Sequence, residues 1–237
     1  MTGRMVRAQT AMELRLTLRR GESLLLTLAI PLGLLAFFGT VDVLGATLDL
    51  LVPGVLALAV MSTAMTGLAI ATGFERQYGV LKRLGATPLP RSGLLLAKTL
   101  SVLAVEALQV VLIGGLGLLL GWRPSGRAVL AVALVAVGTA AFAGLGLLMA
   151  GTLRAEATLA AANGLYLVLL LVSGMVVPLA KLPSALAAVA RLLPSGALAE
   201  GLRSALGAGG AVARPFAVLA VWAAASLALA ARTFRWE

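Results

Sequence analysis

Residues 51–98 read LVPGVLALAVMSTAMTGLAIATGFERQYGVLKRLGATPLPRSGLLLAK. The part from 51 to 73 carries no charge, and a helix needs about 20 consecutive apolar residues to cross hydrocarbon. It reads as a membrane span. A short basic segment follows, and the chain turns apolar again from Leu94. Working outward, apolar runs recur at 24–39, 94–121, 128–151, 159–180 and 215–231. With 51–73 they make six candidate spans. The last, of 17 residues, is short for a span and stops at Arg232.

Composition agrees. Of 237 residues, 61% are hydrophobic and 12% charged, and mean hydropathy is +1.05. A soluble domain has about twice that charge and fewer apolar residues. Six spans use about 120 positions at about 20 each, so 1–237 is expected to be one membrane domain. The absence of Cys and His excludes Cys- or His-ligated zinc, disulfides and Ser–His or Cys–His nucleophilic pairs. No Gly-Lys pair occurs, so there is no Walker A loop. No catalytic residue and no metal ligand set is assigned. The net charge of +10 fits loops that set membrane topology better than it fits nucleic acid.

Residues 1–22 carry five arginines, with Met5, Met12 and Leu16 on one helical face, and read as an interfacial helix. The stretch 1–39 has a signal-like basic start, but its apolar run is long and no A-x-A site follows. With the N-terminus inside, the segments 1–22, 74–93, 152–158 and 232–237, plus Lys98, hold 13 cations and the opposite loops 6. That bias places both termini in the cytoplasm. Phe37, Phe38 and Trp122 mark outer boundaries, and Phe74, Tyr78 and Trp236 inner ones. Trp222 sits mid-span and is expected to pack on a neighbouring helix. Gly117 and Gly121 form a GxxxG, and Gly138, Gly144, Gly146 and Gly151 crowd the fourth span, as in close helix packing. No internal repeat is evident.

Two stretches carry more. In 73–98, Tyr78, Leu81 and Leu84 share a helical face, Gly85 stops the helix, and Pro88 and Pro90 bar its return. Glu75 suits the start of that helix through the dipole. The segment is either a short rigid helix on the membrane surface, able to transmit a push to two spans, or an ordinary basic loop. In 163–206, a span ends in Ser173-Gly174 and Pro178. The segments 184–193 and 196–206 are then amphipathic but too polar or short to span. They read as a re-entrant hairpin or a surface loop with two short helices.

Together these stretches resemble the permease subunits of type-2 ABC exporters. The pattern E-R-x-x-G-x-L-K-R-L-x-A-T-P-L-P-R at Glu75–Arg91 looks like the drug-resistance branch. S-G-x-x-x-P-x-x-x-L-P at Ser173–Pro183 and L-P-x-x-x-x-x-E-G-L-R at Leu193–Arg203 are similar to the family's outer hairpin. The resemblance implies an all-α membrane protein: six spans, the interfacial helix, a coupling helix at 74–90 and the hairpin at 181–214. It implies a bacterial plasma-membrane dimer of two permeases with two cytosolic ABC ATPases. ATP and Mg would sit on those partners, with no cofactor in this chain. Coupling would fall to Glu75, Arg76, Tyr78, Gly79, Leu81, Lys82, Arg83 and Pro88, flanked by Arg154 and Glu156. Ser173, Gly174, Pro178, Pro183, Pro194 and Glu200 would form the outer gate.

Glu106 lies near the middle of the third span, where a charge costs about 2.5–3.5 kcal/mol on insertion scales. Thr99 and Gln109 share its face. Glu106 reads either as part of a polar spot in a translocation path or as a buried carboxyl, neutral or paired with a neighbour's hydroxyl. Thr63, Thr66, Asn163 and Tyr166 are milder pathway candidates, because the second and fifth spans line the cavity in the resembling family. The expected function is ATP-driven export of hydrophobic or amphipathic small molecules. The alternatives are export of a lipid-linked polysaccharide and, from another class, an ion-coupled secondary transporter using Glu106.

Overall fold

The computed structural model describes residues 2–19, 21–41, 47–175, 183–207 and 209–234, with backbone alone at 2, 21–24 and 26. All regular structure among them is helical. The N-terminal helix α1 is Thr2–Arg19 and α2 is Gly21–Thr40. The run quoted above is one continuous helix, Leu48–Gln77. It comprises α3 (Leu48–Met61), a π-helical turn (Ser62–Gly67) and α4 (Leu68–Gln77). A short α5 (Val80–Gly85) leads to α6 (Arg91–Leu119), α7 (Ala128–Thr152) and α8 (Ala155–Val172). Then come α9 (Ser184–Ala190), α10 (Pro194–Leu206) and α11 (Ala213–Thr233).

Among the described residues, five helices are long and apolar enough to cross a membrane: α3–α4, α6, α7, α8 and α11. The bent pair α9–α10, at 89°, brings the number to six if it counts as one span. The expected first span, 24–39, lies in α2, whose described apolar part is the shorter Thr27–Thr40.

Two expected boundaries move. The fifth span, expected over 159–180, starts at Ala155 and stops at Val172. Ser173 Oγ donates to the Leu170 carbonyl and accepts the Met175 N–H. Gly174 takes a left-handed φ of 71° that stops the helix. The coupling segment is not one helix over 74–90. Its first residues finish α4, Gly79 turns the chain with a φ of 71°, and only Val80–Gly85 forms α5.

The strut of the bundle is α7, and its glycines explain why. A Cβ on Gly146 would lie 2.6 Å from the Met65 carbonyl oxygen of the π turn, and one on Gly144 would collide with Ser226 of α11. Gly138 receives Leu198 of α10, and Gly151 receives Phe234. In lipid, such close approach supplies packing that the hydrophobic effect cannot. The expected Gly117–Gly121 pair divides instead: Gly117 packs on Val52 and Trp122, while Gly121 ends α6.

The hairpin enters the bundle. Trp222 Nε1 donates to the Leu192 carbonyl at 2.9 Å, fixing the α9–α10 corner about 14 Å along α11 from its start. From that corner α10 runs back toward the loop 122–127, where the Arg127 N–H meets the Ala205 carbonyl at 2.7 Å. Most of α10 is buried, against α3, α7 and α11. Of the expected gate residues, Ser173 and Gly174 end α8, Pro183 caps α9 and Pro194 opens α10. Glu200 faces Arg191 at 3.9 Å, both partly exposed. Pro178 lies outside the described residues, as do Trp236 and Asp42.

Candidate functional site

At the end of the bundle that carries α5, an apolar helix brings a lysine inward. Lys98, in the second turn of α6, is 1% exposed. Its Nζ lies 2.6 Å from Glu75 Oε2 and 3.1 Å from Glu13 Oε2. A buried ammonium is tolerable only when paired and hydrogen-bonded, and these carboxylates come from α4 and α1. Gln9 donates to the other Glu13 oxygen at 2.9 Å. The charge cluster thus ties together the N-terminal helix, the last turn of α4 and α6.

Glu75 therefore does not start a helix. It stands in the last turn of α4, where the dipole disfavours a carboxylate, and Lys98 compensates. The face of α1 differs from expectation as well. Val6 and Glu13 are buried, whereas Met12 is 50% exposed and Leu16 38%. Sequence reasoning missed Glu13 altogether. The signal was there: a lone acid in an arginine-rich helix, and a lysine inside an apolar run.

A cavity of about 100 Å³ opens beside the cluster, lined by Glu13, Glu75, Lys98, Thr27, Thr63 and Ser101 together with apolar side chains such as Leu68 and Val102. Beside it Gln109 Nε2 donates to Thr63 Oγ1 at 3.0 Å and to the Thr27 carbonyl at 3.2 Å. Thr63 belongs to the π turn, and such turns recur where helices do functional work. Thr66, three residues on, is half-buried and its hydroxyl has no partner among the described residues.

The remaining coupling candidates gather at the same end. Arg76 donates to the Leu153 carbonyl, and Gln77 donates to Glu156 Oε1 at 2.8 Å. Arg76, Gln77, Arg154 and Glu156 line one cleft of about 300 Å³. On α5, Leu81 is fully buried and Leu84 half-buried, while Val80, Lys82, Arg83 and, beyond it, Pro88 are exposed. Tyr78 is 73% exposed and stacks on Phe74. It therefore does not share the buried face with Leu81, because the turn at Gly79 breaks the periodicity. A groove of about 350 Å³ separates α5 and its Pro88 loop from Met5, Ala8 and Met12 of α1.

The pathway candidates are scattered rather than aligned. Glu106 is fully buried and accepts a hydrogen bond from Thr139 Oγ1 of α7. It lines none of the cavities above. Thr99 donates to its own helix at Leu95. Asn163 is exposed and bonds back to the Leu159 carbonyl, and Tyr166 is half-buried. Only Gln109 and Thr63 meet.

Residues 5–206 match the model of the ABC-2 type transporter family. No curated protein matches the chain. Multiple spanning helices and a family match over most of the length leave one conclusion: this chain belongs to the ABC-2 type transporters, as a multi-pass membrane permease whose ATP hydrolysis lies in a partner subunit.

Proposed function

We propose that the chain is the permease of an exporter that moves hydrophobic or amphipathic small molecules out of the cytoplasm or inner leaflet, as in the drug-efflux branch. It works as a homodimer with two ATPase subunits in a bacterial plasma membrane, both termini in the cytoplasm. The observation that carries this reading is the convergence of α5, the Arg154–Glu156 corner and α1 at one end. There α5 presents Val80, Lys82 and Arg83 outward while Leu81 anchors it, and Tyr78 stands exposed at the end of α4 just before it.

In this reading the ATPase grips the exposed side of α5 and the Arg154–Glu156 corner. Closure of the ATPase pair pushes α5 along the membrane surface. Because Glu75 is joined to Lys98 and Gln77 to Glu156, the push reaches α4, α6, α8 and α1 together. The outer hairpin, with Ser173, Gly174, Pro178, Pro183, Pro194 and Glu200, then gates release. A polysaccharide cargo has less support, since stacking platforms for sugars need aromatic rings and the chain holds 11 in 237 residues. Nothing above favours an ion-coupled mechanism through Glu106.

The test is efflux from a susceptible host expressing the permease with and without an ABC ATPase subunit that co-purifies with it. Efflux that requires both supports the proposal. Transport undiminished without any ATPase overturns it.

A further inference from the structure

At the end opposite α5, α6 and α7 are joined by a short loop yet splay apart, leaving a cleft of about 520 Å³. Its walls are apolar: Leu103, Ala107 and Gly114 on α6, Val135 and Ala136 on α7, with Leu202 of α10 behind. Ala107, Ala128 and the neighbouring Val132 are exposed, so the cleft opens sideways, toward the hydrocarbon. Its size falls in the range of ligand cavities, about 300–1,000 Å³.

Two observations at its mouth bear on what fills it. Trp122 lines the cleft, is 6% exposed, and its Nε1–H has no acceptor among the described residues. A buried indole N–H normally finds a partner. Beside it stand Arg123 and Arg127, both exposed. Neither pairs with an acid among the described residues. Their loop is held in place by the bond from the Arg127 N–H to the Ala205 carbonyl. An apolar slot, a buried and unsatisfied donor in its wall and two exposed cations with no acid partner among the described residues form one graded surface.

We propose that this cleft is a binding site for an anionic phospholipid of the leaflet that meets the α6–α7 loop. One acyl chain lies between α6 and α7 against the Trp122 indole, and the phosphate sits between Arg123 and Arg127. The site is separate from the coupling end and does not depend on the cargo proposed above. A bound lipid would wedge α6 from α7 next to the Glu106–Thr139 contact, so it would also set how far these helices close.

The experiment uses the full chain with Trp222→Phe and Trp236→Phe, so that Trp122 reports alone, in vesicles of phosphatidylcholine or phosphatidylglycerol with brominated acyl chains. Brominated phosphatidylglycerol should half-quench Trp122 at a mole fraction at least about five-fold lower than brominated phosphatidylcholine, the scale of one basic residue at an anionic surface. Arg123→Gln with Arg127→Gln should erase that preference, and Ala136→Phe, which fills the slot, should weaken quenching by both lipids. Native mass spectrometry of the unaltered chain should show retained phosphatidylglycerol that the arginine variant loses. Equal quenching by the two lipids overturns the proposal, as does a preference that survives both arginine substitutions. So does a Val132→Cys cross-link between two chains in membranes, which would put a second copy over the cleft.

Discussion

Lys98 shows how one side chain can organise an end of the molecule. Replacing it by Met leaves Glu13 and Glu75 facing each other without their cation, and breaking a buried charge pair costs about 3–5 kcal/mol. The triple replacement Lys98→Met, Glu13→Gln and Glu75→Gln removes all three charges and is expected to be more stable than Lys98→Met alone. Thermal unfolding in detergent checks that order, and the reverse would mean that the cluster carries no structural weight. Glu106 calls for a different expectation. Its carboxyl accepts from Thr139 inside the α6–α7 contact, so Thr139→Val should cost about 1–3 kcal/mol by orphaning a buried acceptor. Glu106→Gln keeps an acceptor oxygen and should leave the substrate profile unchanged. A clear shift among cationic substrates would instead place this residue in the path.

At the scale of elements, α5 and α7 make contrasting demands. Leu81 roots α5 while Lys82 and Arg83 face outward, so Lys82→Ala with Arg83→Ala should preserve folding and insertion. It should uncouple efflux from ATP hydrolysis, measured as ATPase activity that no longer tracks transport. Normal coupled efflux would reject the coupling role of this helix. The strut α7 tolerates no such freedom. Gly146→Leu drives carbon into the backbone oxygen of Met65, which has nowhere to go, whereas Gly115→Ala on α6 meets nothing within 4 Å. The first should abolish a monodisperse detergent peak in size exclusion, and the second should leave it intact.

For the whole molecule, the decisive quantity is which end faces the cytoplasm. The chain has no cysteine, so single substitutions report cleanly. Lys82→Cys and Arg123→Cys sit in exposed positions at opposite ends of the bundle. A membrane-impermeant thiol reagent on intact cells should label position 123 and reach position 82 only after permeabilisation. The reverse pattern would invert the topology.

Most of the spans were legible because lipid imposes a length on any crossing helix, and runs such as 128–151 meet it without help from neighbours. The inward hairpin was legible in outline, since Pro183 and Pro194 punctuate it. The end of α8 was not, because an apolar stretch continues past Ser173 and only the left-handed turn at Gly174 stops the helix. The same holds at Gly79, where an apparent periodicity through Tyr78, Leu81 and Leu84 spans a break.

Hydrophobicity is a property of each segment by itself, so the sequence alone determined an all-helical membrane chain, its approximate spans and its family pattern. Pairing across the fold is not such a property. That Lys98 meets Glu13, 85 positions away, and that the hydroxyl meeting Glu106 is that of Thr139 was decided by tertiary structure. In a low-dielectric interior a charge or polar group takes whichever partner packing brings within reach, and linear spacing does not say which.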